Sequence, residues 1–176
     1  VTVLESSIAY LANRNESVSD KVSILNEYKD ATSVKFSSYD ETVYSDTYIK
    51  VDKNNTGIIK AYKVGNTDYG YHVVVASPVK IASSETSMLT IFKNFTRLSE
   101  VDFGDINLEQ ANDIGGMFIN CTSLEEVTLT TADEKGFAIT QCNNLTWMFY
   151  GAKNLKTVVF DDSFIPGSKA QMDNMF

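Results

Sequence analysis

The chain has 176 residues, 43% of them hydrophobic and 22% charged, with a formal net charge of −8. That length suits one domain, or one short repeat array with a cap, and folding it buries about 70% of the surface the unfolded chain exposes, so stability demands neither metal nor disulfide. The acidic balance argues against a nucleic-acid partner and against adsorption on an anionic membrane, both of which need a surplus of Lys and Arg on one face.

The sequence starts at Val1 with no basic-then-apolar leader behind it, and no apolar run reaches the roughly 18 residues of a membrane span. The expectation is a soluble stretch without membrane insertion, either an excerpt or a mature form that has lost its leader. The first fifteen or so residues show no readable pattern. Ser19–Lys29 predicts a modest helix with a Ser or Asp N-cap. A strand begins at Val34, and Tyr48–Val51, Gly57–Val64 and Tyr69–Ala76 are strand candidates rich in β-branched residues and Tyr. The stretches Asn54–Gly57 and Gly65–Asp68 supply turn chemistry between them. Residues 1–82 are therefore expected to form a β-rich N-terminal cap.

From about residue 83 the chain repeats itself. Copies start at Ile91, Met117, Met148 and Met175, spaced by 26, 31 and 27 residues, and the fourth is cut after Phe176. Each full copy carries one apolar triplet: Leu98/Val101/Phe103, Leu124/Val127/Leu129 and Leu155/Val158/Phe160. Alternation within the triplet predicts a short strand. Ahead of it, Ile114, Met117, Phe118 and Cys121 sit at i, i+3, i+4 and i+7, as do Leu145, Met148, Phe149 and Ala152, and Met88, Ile91, Phe92 and Phe95. That spacing predicts a helix of about two turns. A unit of helix, turn and strand cannot bury both apolar faces alone, so the fold class expected is an α/β repeat: a solenoid over residues 83–176 with short helices on one side and one parallel sheet on the other. The longer second unit places an exposed loop at Asp133–Gly136. The cut fourth copy predicts further repeats, or another chain, at the C-terminal end.

The second copy reads Ile114-Gly-Gly-Met-Phe-Ile-Asn-Cys-Thr-Ser-Leu-Glu-Glu-Val-Thr-Leu129, and the third has the same frame from Leu145 to Phe160 with Ala152 in the Cys slot. The first, Met88–Phe103, has Phe95 there. This resembles the BspA-like leucine-rich repeat family, whose pattern is Met-x-x-Met-Phe-x-x-Cys-x-x-Leu-x-x-Leu-x-Leu, and the likeness extends over about Val34 to Phe176. The resemblance implies a leucine-rich-repeat-like solenoid in a cell-surface or secreted protein used for adhesion and protein recognition. The family has no shared catalytic residues to carry over, so no enzyme, cofactor or metal is expected.

The residue chemistry agrees with that expectation. His72 is the only histidine, and no motif sets a Ser or Cys partner beside it. Asp102, Asp105, Glu109, Asp113, Asp161 and Asp162 read first as solvated acids, and Asp161–Asp162 lacks a calcium-loop frame. Cys121 and Cys142 make neither a disulfide framework nor a zinc site; two buried thiols are expected, and pairing stays open if their Cα atoms come close. Trp147 lies one position outside the apolar stripe. Five Asn-x-Ser/Thr sequons, at Asn15, Asn54, Asn94, Asn120 and Asn144, matter only in a chain secreted by a eukaryote. The strand residues alternating with the core face, namely Glu100, Asp102, Glu126, Thr128, Thr157 and Val159, are the candidate binding surface, suited to a basic or polar protein or other surface ligand. A structural role, decorating or spacing a larger assembly such as a virion fibre or surface layer, is the alternative.

Overall fold

A computed structural model describes residues 8–11, 23–38, 47–65, 69–83, 90–104, 106–132 and 136–176. Among these described residues nine strands run in chain order: β1 (Ile8–Tyr10), β2 (Ser33–Ser38), β3 (Tyr48–Lys50), β4 (Lys60–Val64), β5 (His72–Ser77), β6 (Lys80–Ala82), β7 (Glu100–Asp102), β8 (Glu126–Leu129) and β9 (Thr157–Phe160). They form three sheets: a five-stranded one in the order β3-β4-β5-β2-β7, and two-stranded sheets β1-β6 and β8-β9. The large sheet is mixed, antiparallel at β3-β4 and β4-β5 and parallel at β5-β2 and β2-β7. Its inner face is built by alternation: Val34 and Phe36 of β2, Val73 and Val75 of β5 and Ala61 of β4 are all buried.

The fold is thus β with mixed sheets, and the α/β solenoid with short helices is overturned. No α-helix occurs among the described residues; the only helical element is a single 3-10 turn, Asn26–Tyr28. That turn lies inside the helix expected over Ser19–Lys29, whose residues 19–22, like Met88, Asp105, Asn15 and most of the loop at Asp133–Gly136, fall outside the described residues. The single parallel sheet expected across the repeats is not formed either. Strand β7 is the edge of the five-stranded sheet, where it pairs with β2 from the N-terminal region, whereas β8 and β9 make a sheet of their own.

The reason the repeats are not helical is visible in their dihedrals. The residue just before each copy's start, Thr90, Gly116, Trp147 and Asn174, has φ of 58°, 68°, 61° and 53°. The residue three past the start, Asn94, Asn120 and Gly151, has φ of 65°, 60° and 74°. Left-handed residues at both places interrupt any run of helical ones. Each copy instead closes short turns in which an N–H donates to the carbonyl three residues earlier, as from Ile119 to Gly116 and from Cys121 to Phe118. Two such turns in succession give the same i, i+3, i+4, i+7 apolar stripe as a helix.

The amides that a helix would use internally point to the following copy. Phe92 N–H donates to Met117 C=O at 3.1 Å, Phe118 N–H to Met148 C=O at 2.8 Å and Phe149 N–H to Met175 C=O at 2.8 Å. Asn94 and Asn120 N–H donate likewise to Ile119 and Tyr150 C=O. The repeated Phe of each copy is then brought over its counterpart. Phe92 stacks on Phe118 at 5.3 Å between centroids, Phe118 on Phe149 at 5.4 Å and Phe149 on Phe176 at 5.4 Å, with the rings within 21° of parallel. Phe103 ties this column to the large sheet, stacked on Phe36 at 6.1 Å and edge-on to Phe92 at 6.2 Å.

Trp147 is the one aromatic held at positive φ among the described residues. The residue is 43% exposed and its ring meets Tyr150 edge-on at 4.8 Å. The left-handed backbone costs a bulky residue about 1–2 kcal/mol, and the ring pair returns about 0.5–1.5 kcal/mol. Trp147→Asn, which suits the same dihedrals, is therefore expected to leave stability unchanged within about 1 kcal/mol. Urea unfolding followed by circular dichroism checks this, and a loss above about 2 kcal/mol would show that the ring holds the turn together.

Candidate functional site

In β7 and β8 the outward residues alternate with buried Val101 and Val127, so Glu100, Asp102, Glu126 and Thr128 are exposed. Thr157 and Val159 of β9 are exposed as well. β7 and β8 belong to different sheets and are not hydrogen-bonded to each other. The seam between them opens as a groove of about 510 Å³ whose walls include Ser99, Glu100, Asp102, Glu126, Thr128 and Thr130. Four of the six residues expected at the surface, Glu100, Asp102, Glu126 and Thr128, are brought together there, while Thr157 and Val159 stand outside it.

A second depression, of about 500 Å³, shares Asp102 and Thr130 with the first and adds Lys35, Ser37 and Gly104. Lys35 is the one cation among the residues lining these two depressions. Its Nζ lies 3.7 Å from the Asp102 carboxylate, with both side chains about half exposed. Such a pair is worth little against solvent, so the groove keeps an acidic character that a cationic ligand group can use. Lys35 was not legible as a groove residue: it reaches Asp102 only because β2 pairs in parallel with β7, across 67 residues of sequence. Asp102 also shapes the groove's end, where its Oδ1 accepts the Gly104 N–H at 2.9 Å.

His72 has a serine beside it after all. Ser33 Oγ lies 2.6 Å from His72 Nδ1 on the exposed side of the β2-β5 pair, where Ser33 and His72 are register partners. On its other side Ser33 is the register partner of Glu100. The row across the sheet therefore reads His72, Ser33, Glu100. A catalytic triad needs the acid behind the imidazole to hold its tautomer, and here the acid stands beyond the serine. No sequence signal marks this pair, since its members are 39 residues apart on strands whose parallel pairing is not written locally.

Asp52 and the two thiols have structural surroundings. The Asp52 carboxylate accepts hydrogen bonds from Thr56 N–H at 2.7 Å, Thr56 Oγ1 at 3.0 Å and Gly57 N–H at 2.7 Å, closing the expected Asn54–Gly57 turn. Burial alone would raise its pKa, and those bonds outweigh it and hold the carboxyl below its usual range. Cys121 and Cys142 are free, buried thiols. Burial pushes the Cys121 thiol up to about 12 against the smaller pull of a backbone hydrogen bond, and burial raises Cys142 too, so neither is a thiolate at neutral pH. Of the sequons, Asn54 and Asn94 are exposed, whereas Asn120 donates through Nδ2 to the Asn94 Oδ1 at 2.9 Å and Asn144 accepts from Thr146. Among the described residues no group of three or more His, Cys, Asp or Glu is arranged to hold a metal ion, and no helix is long and apolar enough to cross a membrane.

Comparison with models of protein families, with curated proteins and with solved structures finds no match to this chain.

Proposed function

We propose that this chain is a binding module for adhesion or protein recognition at a cell surface or in secretion, and that its contact with the partner runs through the groove between β7 and β8. The observation that carries the reading is the gathering of Glu100, Asp102 and Glu126 on one concave seam, balanced only by Lys35. An acidic seam with hydroxyls at Ser99, Thr128 and Thr130 suits a partner segment that carries Lys or Arg beside hydrogen-bonding groups. The likeness of the copies to BspA-like repeats supports the cell-surface setting. Catalysis is not part of the proposal, since the one Ser–His pair has its acid on the wrong side and both thiols are protonated.

The test is charge reversal of the seam. The triple variant Glu100→Lys, Asp102→Lys, Glu126→Lys is expected to lower capture of partner from host-surface extract by about ten-fold or more. Capture by the wild type is expected to weaken as salt rises from about 0.05 M to about 0.5 M. All three side chains are exposed, so the variant keeps its fold, which circular dichroism verifies. Undiminished capture by the folded triple variant would sink the groove as the binding site. A decorating or spacing role predicts that same indifference.

A further inference from the structure

We propose that the partner segment is of mixed charge, with a Lys or Arg standing two residues from an Asp or Glu, and that Lys35 is the residue that receives the acid. This rests on the groove between β7 and β8 being the binding site, and it goes on to name the ligand chemistry.

The two depressions are successive parts of one cleft. The first runs along residues 99–103 of the β7 segment and 126–130 of the β8 segment. The second shares Asp102 and Thr130, continues past the strand ends to Gly104 and Ala132, and has Lys35 and Ser37 of β2 in its wall. Parallel pairing of β2 with β7 is what sets Lys35 opposite Asp102. Gly104 C=O accepts the Ala132 N–H at 2.6 Å, so the chains leaving β7 and β8 stay joined at the second depression.

The charge of the lining changes along this path. Glu100, Asp102 and Glu126 line the first depression, with no cation beside them among its described lining residues. In the second, Asp102 is met by Lys35 and by the hydroxyls of Ser37 and Thr130. Carboxylates take up an ammonium or guanidinium group, whereas an ammonium flanked by hydroxyl donors takes up a carboxylate. A ligand carrying only Lys or Arg would use the first part of the cleft and bring its charge against Lys35 in the second.

Lys35 is free to change partners. Its Nζ lies 3.7 Å from the Asp102 carboxylate, and the two side chains are 57% and 48% exposed, so their pairing holds little energy. A mixed-charge ligand exchanges that one pair for two, Asp102 with the ligand's base and Lys35 with its acid. An extended segment presents alternate residues to one face, about 7 Å apart. A base set between Glu100 and Glu126 then carries the acid two residues on towards Lys35.

The sign of two effects separates this from a cleft that is merely acidic. A merely acidic cleft repels an Asp in its ligand, and Lys35→Met, by removing the one opposing charge, tightens capture. The probes are short immobilised peptides of Gly and Ser with a central Lys-Ser-Asp or its reverse, beside the same peptides with Asn for Asp or Gln for Lys. The 176-residue chain should hold the mixed-charge peptide, in the better of its two orders, about three-fold or more tighter than its Asn counterpart. Lys35→Met should abolish that preference while Lys still outbinds Gln, and since Lys35 is exposed the variant folds. An Asn peptide held as tightly as the Asp peptide, or a Lys35→Met variant that holds the Asp peptide undiminished, overturns the proposal and leaves the acidic groove standing. Indifference to Lys against Gln, or no peptide held at all, brings down the groove itself and this proposal with it.

Discussion

Phe118→Ala is expected to lower stability by about 3–5 kcal/mol, read as a fall in the urea midpoint at unchanged slope. Phe118 is fully buried and has a ring on either side, Phe92 at 5.3 Å and Phe149 at 5.4 Å. Its loss leaves a gap in the middle of the column that neither neighbour can fill, because the backbone of each copy is pinned to the next at Phe118 N–H and Met148 C=O, 2.8 Å apart. Against a total stability of about 5–15 kcal/mol typical of such domains, this loss removes from about a fifth to all of it. A loss below about 1.5 kcal/mol would mean that the copies close up over the gap and that the column is not the axis of the core.

Gly104→Ala is the second large effect. Gly104 follows β7 with φ of 55°, and a Cβ built on it would lie 2.1 Å from the backbone carbonyl oxygen of Phe36 in β2. The left-handed backbone alone costs alanine about 1 kcal/mol. The clash is with main chain, not with the tip of a movable side chain, so β7 has to back away from β2. The expected loss is about 3 kcal/mol or more, with the large sheet losing its β7 edge. The same shift would displace Asp102, whose Oδ1 accepts the Gly104 N–H, so ligand capture through the groove should fall with stability. Thermal unfolding of the variant tests this, and a loss below about 1 kcal/mol would show that β2 and β7 have slack between them.

The strands were the legible part of the fold. Val-x-Phe or Val-x-Leu alternation placed β7, β8 and β9, the strand start at Val34 placed β2, and β-branched and Tyr runs placed β3 to β5, because a half-buried strand needs side chains that alternate in sequence itself. The helices were misread because an apolar stripe at i, i+3, i+4, i+7 records only which side chains face inward. It does not record where the N–H groups go. One clue lay in the copies: Asn94, Asn120 and Gly151 share a repeat position, and Asn and Gly are the residues that accept a left-handed backbone most easily. The companion position holds Gly116 and Asn174, which accept it as easily, but also Thr90 and Trp147, which do not, so the signal there is mixed. On strand order the sequence was silent. β2 sits between β5 and β7, partners far from it in sequence, and that placement is what puts Lys35 beside Asp102 and Ser33 beside His72.

The amides that reach from one copy to the next also decide how the chain exchanges with solvent. In a helix, the protection of an amide hydrogen reports on its own segment. Here the amide hydrogens of Phe92 and Asn94 are held by carbonyls of the second copy, those of Phe118 and Asn120 by the third, and that of Phe149 by Met175. At these positions protection against deuterium is conferred by the following copy, while the turn amides of each copy, such as those of Ile119 and Cys121, are held within it. Opening begun at one end bares the amides of the copy before it, which then loosens its own predecessor. Deuterium uptake along the repeats reads as a clock of fraying, with the slowest amides where the most successors remain in place.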